Sequence, residues 1–161
     1  MQIREAVLED LPRLLDIYNY AVRETVATFD LTEQTLEQRS EWFGKYGGRF
    51  PLIVAELDGV VAGYSCLSSF RAKPAYDRTA ELSVYIDPEY WGRGVGKRLM
   101  KEIIERGKAV GHHSIVACIT GGNEVSVKLH EQLGFRFVGT FRECGYKFDA
   151  WQDVSFYELL I

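Results

Sequence analysis

An α+β fold built on one mixed sheet is the class this sequence predicts, and three observations predict it. Strand-like apolar runs alternate with amphipathic helical periods along the chain. Asp58-Gly59 separates two such runs, the pattern of a tight hairpin. Gly92, Gly94 and Gly96 stand at a strand-to-helix junction, in Val84-Tyr85-Ile86-Asp87-Pro88-Glu89-Tyr90-Trp91-Gly92-Arg93-Gly94-Val95-Gly96-Lys97-Arg98-Leu99-Met100. The 161 residues suffice for one domain with a real core. No repeat, low-complexity tract or linker divides them, so residues 1–161 are expected to form a single domain.

The elements follow in order. Ile3 to Ala6 reads as a short first strand. A helix is expected from Leu8 to Glu24, with Pro12 in its first turn, where a missing N–H costs nothing. Leu11, Leu14, Leu15, Tyr18, Ala21 and Val22 form its apolar stripe. Thr25 to Thr32 is polar and irregular, with Phe29 standing out. A second helix is expected from Thr35 to Tyr46, ended by Gly47-Gly48. Leu52 to Leu57 and Val60 to Ser69 are the hairpin strands. Phe70 to Arg78 is a loop carrying Arg71, Lys73, Tyr76, Asp77 and Arg78. Thr79 to Ile86 is a strand, and the helix after the glycine turn runs to about Val110, with Gly111 ending it. Ser114 to Thr120 is a strand, Asn123 to Leu133 a short helix closed by Gly134, and Phe135 to Arg142 and Val154 to Leu160 the last strands.

Bulk properties narrow the function. At 47% hydrophobic and 26% charged residues the composition is that of a soluble globular protein. Aromatics at 13% suit a pocket or a broad interface. A net charge of −4 argues against nucleic acid as a partner, though not against a local basic site. Cys66, Cys118 and Cys144 form neither CxxC nor CxxH patterns, so no disulfide framework and no metal site is expected. Met1-Gln2-Ile3-Arg4-Glu5 lacks a signal core and no apolar run is long enough for a membrane, so a cytoplasmic location is expected.

The glycine turn leaves backbone N–H groups uncovered where the helix dipole is positive, an arrangement that holds a phosphorylated ligand. Arg93, Lys97 and Arg98 add cations. GxxxxGK[ST] is absent, and Gly92-x-Gly94-x-Gly96 is not GxGxxG. A pyrophosphate cradle of another kind remains, set against a plain glycine-rich turn. The second motif is Asn123-Glu124-Val125-Ser126-Val127-Lys128-Leu129-His130-Glu131-Gln132-Leu133-Gly134-Phe135. Asn123 caps a helix from which Ser126 and His130 project on related faces. Alone it is an ordinary capped helix; its weight comes from being the next β–α unit.

Together, in this order, the two motifs resemble those of the GNAT superfamily of N-acetyltransferases. Trp91-Gly92-Arg93-Gly94-Val95-Gly96 matches [RQ]-x-x-G-x-[GA], except that Trp91 stands where Arg or Gln is usual. The Asn123 segment matches N-x-x-[SA]-x-x-L-Y-x-x-x-G-F, with His130 in place of Tyr. The phosphinothricin N-acetyltransferase branch is more similar still. It shares histidine at position 130, Ala75-Tyr76-Asp77-Arg78-Thr79-Ala80-Glu81, and Gly145-Tyr146-Lys147-Phe148-Asp149-Ala150-Trp151-Gln152-Asp153-Val154.

This resemblance implies a mostly antiparallel central sheet flanked by helices, and an acetyl-CoA-dependent N-acetyltransferase that acts by direct transfer. No cysteine lies in either motif, which disfavours an acyl-cysteine route. The acceptor it implies is the α-amine of phosphinothricin, methionine sulfoximine or methionine sulfone. Acetyl-CoA would lie along Val84, Tyr85, Ile86, Trp91, Gly92, Arg93, Gly94, Val95, Gly96, Lys97, Asn123 and Ser126. Glu81 would take the amine's proton, directly or through water. His130 would protonate the departing thiolate or relay the proton. Phe29, Arg71, Lys73, Tyr76 and Tyr85 would hold the acceptor, arginine suiting an acidic group by bidentate pairing. Lys147, Trp151 and Asp153 belong to the C-terminal motif and to a site or to dimer packing. A homodimer is implied. A protein or polyamine acetyltransferase and a non-catalytic acyl-CoA sensor are the rivals. The basic loop disfavours polyamines, and the retained Glu81 and His130 disfavour a sensor.

Overall fold

Two hairpins and one crossover build the sheet. The structure is a computed structural model describing residues 1–161. Its strands are β1 (Gln2–Glu5), β2 (Leu52–Leu57), β3 (Val60–Ser69), β4 (Thr79–Ile86), β5 (Ser114–Thr120), β6 (Arg136–Lys147) and β7 (Ala150–Leu160). Its helices are α1 (Leu11–Glu24), α2 (Leu36–Phe43), α3 (Val95–Ala109) and α4 (Glu124–Gln132). The seven strands form one sheet in the order β1-β2-β3-β4-β5-β7-β6. Asp58 and Gly59 turn β2 into β3 with φ of 50° and 80°, as a tight hairpin demands. Every pairing is antiparallel except β4 with β5, which α3 joins as a crossover.

That one parallel pairing is short. It covers Thr79↔Ser114, Ala80↔Ile115 and Glu81↔Val116, and stops. Beyond Glu81 the strands part, leaving the rest of β4 paired only with β3 and the rest of β5 only with β7. The sheet is therefore split at its centre, with unspent backbone groups facing the gap.

Alternation along the strands sends side chains to two cores. Ala80, Leu82, Val84 and Ile86 of β4 pack with Leu99, Met100 and Ile103 of α3. Tyr85 packs on the opposite face with Tyr64 and Cys66 of β3 and with Leu14 and Ile17 of α1. At Gly107 α3 presses on the sheet so closely that a Cβ would lie 2.8 Å from Leu67 Cδ1.

Four boundaries differ from the sequence reading by more than one residue. Leu8–Asp10 is a 3-10 turn and α1 begins at Leu11, because the Asp10 carboxylate is held by Arg4 and by the Val7 N–H. The second helix starts with the Thr35/Gln38 capping box but ends at Phe43, the chain turning from Gly44 into the Gly47↔Phe50 bridge. The last two strands are longer than expected and meet at Phe148-Asp149, both at φ 55°. A register shift between Phe141 and Gly145, with Glu143 at φ 53°, breaks the alternation that would have marked the strand.

Candidate active site

The split in the sheet points at the glycine turn. Asp87 caps the turn Pro88–Tyr90 by accepting from the Glu89 N–H, and Arg13 pairs with Asp87. Gly92 and Gly94 follow at φ +73° and +76°, the left-handed region that favours glycine. A Cβ at either would meet nothing within 4 Å, so conformation and not crowding requires glycine, and the space over the turn is open. The Gly94 carbonyl accepts the bond from Arg98 N that opens α3. The N–H groups of Val95, Gly96 and Lys97, ahead of it, have no helical partner. Lys97 and Arg98 are exposed, and the Arg93 guanidinium lies 5.2 Å from the Tyr90 ring centroid. Trp91 turns back on the protein. Its indole N–H donates to the Ile86 carbonyl at 3.0 Å and its ring meets Tyr20 edge-on.

Glu81 occupies the last paired position of β4 before the split. With Ser83 and Tyr85 it faces the α1 side, whereas Val84 and Ile86 face α3. The carboxyl enters no ion pair. Burial pushes its pKa up, and a hydrogen bond from the Cys118 thiol partly offsets that. Burial and the neighbouring carboxylate push the Cys118 thiol up to about 12. A half-buried carboxyl without a counter-ion binds a proton more readily than an ordinary glutamate does.

His130 lies on the α3 side of the gap and is buried at 3% exposure. Its Nδ1 donates to the Ser126 carbonyl at 2.7 Å, which fixes the tautomer and leaves Nε2 as the lone-pair nitrogen. Burial lowers its pKa, so the ring is neutral at pH 7. The ring stands edge-on to Phe135, centroids 5.0 Å apart. Asn123 Oδ1 accepts from the Ser126 N–H at 3.2 Å, capping α4. Leu129 of α4 lies where a Cβ on Gly96 would meet it at 3.4 Å, so the glycine turn and the His130 helix are neighbours. No hydrogen bond joins His130 to Glu81.

Arg71, Lys73 and Tyr76 are exposed on the loop before β4 and form no ion pair; the Arg71 guanidinium lies 4.9 Å from Phe70 and 5.9 Å from Tyr76. Phe29 lies against Gly145, where a Cβ would come within 2.3 Å of its ring. The C-terminal motif resolves into separate parts. Lys147 is buried and donates to the Thr28 carbonyl at 2.8 Å, which pins the Phe29 segment. Asp153 accepts from the Glu143 N–H at 2.7 Å and so holds the bulge. Trp151 is 63% exposed beside Tyr146.

Sequence reasoning missed two features. Cys118 faces Glu81 only because β4 and β5 are parallel neighbours, which no local pattern announces. A cavity of about 520 Å³ opens on the Glu81 face of the sheet, lined by Tyr18, Arg39, Trp42, Tyr64, Ser83 and Tyr85 among others. Arg39 carried no signal because its burial comes from how α2 seats on the sheet and not from its neighbours in sequence.

An open row of N–H groups at a helix start, continued by an unpaired strand edge that ends at a carboxyl, fits an extended ligand with a phosphorylated end. Residues 14–135 match the Acetyltransferase (GNAT) family. A phosphinothricin N-acetyltransferase of Streptomyces coelicolor is 41% identical over 98% of this chain and 95% of its own length. An L-methionine sulfoximine/L-methionine sulfone acetyltransferase of Pseudomonas aeruginosa is 38% identical over 98% and 92%. The crystal structure of a ribosomal-protein-alanine N-acetyltransferase from Brucella melitensis superposes with a TM-score of 0.97 at 38% identity, covering 100% of both chains. That of a phosphinothricin acetyltransferase from Sinorhizobium meliloti in complex with acetyl-CoA gives 0.96 at 34% identity, covering 99% of this chain and 88% of that one.

Proposed function

This chain belongs to the Acetyltransferase (GNAT) family, and from that premise we propose that it acetylates the α-amine of a small amino-acid analogue bearing a phosphinate, sulfoximine or sulfone group. It is an acyltransferase, and acetyl-CoA is its co-substrate. The observation that carries the reading is Glu81, an unpaired half-buried carboxyl at the point where β4 and β5 separate.

Acetyl-CoA brings an acyl group activated as a thioester, with a thiolate to leave. Gly92, Gly94, Val95, Gly96 and Lys97 hold its pyrophosphate through backbone N–H groups, with Arg93 beside them. The free edge of β4 from Leu82 to Ile86 pairs with its pantetheine arm, and one N–H of that edge polarises the thioester carbonyl. Asn123 and Ser126 border the same arm. Trp91 contributes by shape, its indole N–H being spent on Ile86.

The acceptor arrives as an ammonium ion, which has no lone pair to attack with. Glu81 takes its proton, directly or through one water, and the raised pKa makes it an effective acceptor. His130, neutral with Nε2 unspent, takes at Nε2 the second proton that the nitrogen sheds as the amide forms and hands it to the departing thiolate. Arg71, Lys73 and Tyr76 hold the acceptor's acidic group, and Phe29 and Tyr85 wall the site.

The 161 residues act as one catalytic unit, in the cytoplasm, as a homodimer. Phe137, Val138, Phe141, Phe148, Trp151 and Leu160 are all more than half exposed on the β6–β7 hairpin, at the sheet's edge, and a second copy would cover them. Sedimentation should give a dimer, and Trp151→Glu should shift it toward monomer; a monomeric wild type would end that assignment.

Thiol release from acetyl-CoA tests the activity directly. Phosphinothricin, methionine sulfoximine and methionine sulfone should be turned over far faster than ordinary amino acids, spermidine or an alanine-started peptide. Turnover of the peptide or spermidine alone would overturn the substrate class. Acetyl-CoA binding without any turnover would overturn the activity.

A further inference from the structure

Arg39 is 2% exposed, and none of the ion pairs of the chain includes it. Its guanidinium carbon lies 3.3 Å from the Trp42 ring centroid and 4.3 Å from that of Tyr18. One terminal nitrogen donates to the Tyr64 hydroxyl, and the other reaches Gln34 Oε1 at 3.4 Å, too far for a strong bond. Nε is buried with no acceptor at all. A full positive charge is thus held out of water by ring faces and neutral oxygens. Cation–π contacts offset part of that cost, but an unspent donor on a buried cation is expensive without an anion.

The cavity beside it supplies room for one. It measures about 520 Å³, and its lining contains no aspartate or glutamate. Lys45 and the hydroxyl-bearing Tyr46, Tyr64 and Tyr85 contribute to its wall, burial keeps those tyrosines protonated, and the Tyr18 hydroxyl is spent on the Asp30 carboxylate. The wall is therefore rich in donors and carries positive charge. Ser83 lies in it, two residues beyond Glu81 on the same face of β4, and Ser68 lies in it directly across β3 from Glu81. Two residues of strand span about 7 Å, a distance that an extended glutamate-like side chain covers.

We propose that this cavity receives the far end of the acceptor, an oxygen-rich side-chain terminus that accepts from Arg39 while the α-amine lies at Glu81. The inference rests on the function proposed above and deepens it. The exposed Arg71 and Lys73 are then left for the α-carboxylate. Arg39 becomes the residue that selects glutamate-shaped analogues ending in phosphinate or sulfone oxygens over amino acids with apolar ends.

The test compares phosphinothricin, methionine sulfone and norleucine, which differ in the terminal group. In Arg39→Met, kcat/KM for phosphinothricin should fall on the order of 100-fold, through KM, and for the neutral sulfone about tenfold. Norleucine and the KM for acetyl-CoA should stay within about twofold of wild type. Arg39→Lys, which keeps charge but loses the fork, should fall between. Tyr64→Phe keeps the packing and serves if Arg39→Met fails to fold; it should show the same order of losses, but smaller. An equal loss on all three substrates would make Arg39 a prop of the fold and overturn the proposal, as would no loss. Trp42 reports occupancy without turnover. Titrating phosphinothricin into wild type should change its emission saturably, and Trp42→Phe or Arg39→Met should abolish the change. If that titration succeeds while no amino acid is acetylated, the function fails and the oxyanion pocket stands. Turnover without the titration signal removes the pocket alone.

Discussion

Replacing Glu81 with glutamine keeps the side chain's shape and removes its charge. The carboxyl enters no ion pair and accepts a hydrogen bond from the Cys118 thiol, so the substitution strands no partner charge and the fold should hold. Because burial raises its pKa, the folded state binds the proton more tightly than the unfolded one. Stability therefore falls as pH rises from the ordinary value of 4.5 through the raised folded value, and the cost is fully present above it. Glu81→Gln should accordingly melt slightly higher than wild type at neutral pH, with the gap closing as the pH drops below 4.5. Catalysis goes the other way. A positioned general base contributes about 10²–10⁴-fold, or about 3–5 kcal/mol of barrier. Thiol release at saturating acetyl-CoA and acceptor should fall by that factor, with KM for acetyl-CoA unchanged. Across a pH series the wild-type rate should rise along an acidic limb whose midpoint lies above 4.5, and the variant should lack that limb. A variant that retains at least a third of wild-type kcat, with the limb intact, would show that the proton goes elsewhere and refute the reasoning.

Three further outcomes follow from local geometry. Gly94→Ala places a side chain at φ +76° in open space, so the cost is about 1–2 kcal/mol of backbone strain; melting should drop a few degrees and calorimetry should show weaker acetyl-CoA binding. Gly145→Ala drives a methyl to within 2.3 Å of the Phe29 ring; acceptor KM should rise while acetyl-CoA KM does not, and Phe29→Ala in the same chain should add little, a non-additive cycle. His130 is held neutral by burial, so the unfolded chain gains a proton near 6.5 that the folded chain does not; urea stability should decline as pH falls below that value, and the decline should be shallower in His130→Phe.

The parts of this molecule legible in the sequence are those written in local patterns. The glycine turn, the Asp58-Gly59 hairpin and the Asn123 cap each need only a few adjacent residues, and each appears where expected. The C-terminal hairpin was half hidden, since the bulge at Glu143 destroys the two-residue period and its turn uses Phe148-Asp149 with no glycine. Lys147 looked like one letter of a motif, yet it bonds across the fold to Thr28. The Cys118–Glu81 contact follows from strand order and the Arg39 cavity from how α2 seats on the sheet. Neither has a sequence period of its own. Chemistry carried by consecutive residues is readable, and chemistry assembled across strands is not.

One competition experiment tests the central claim most directly. Wild-type protein is given limiting acetyl-CoA with equal amounts of phosphinothricin, methionine sulfone, glutamate, spermidine and an alanine-started peptide, and the products are identified by mass spectrometry. The account predicts acetyl groups on the α-nitrogen of phosphinothricin and methionine sulfone, matched mole for mole by released coenzyme A. Acetyl groups chiefly on the peptide or spermidine, or retained on the protein, would contradict it.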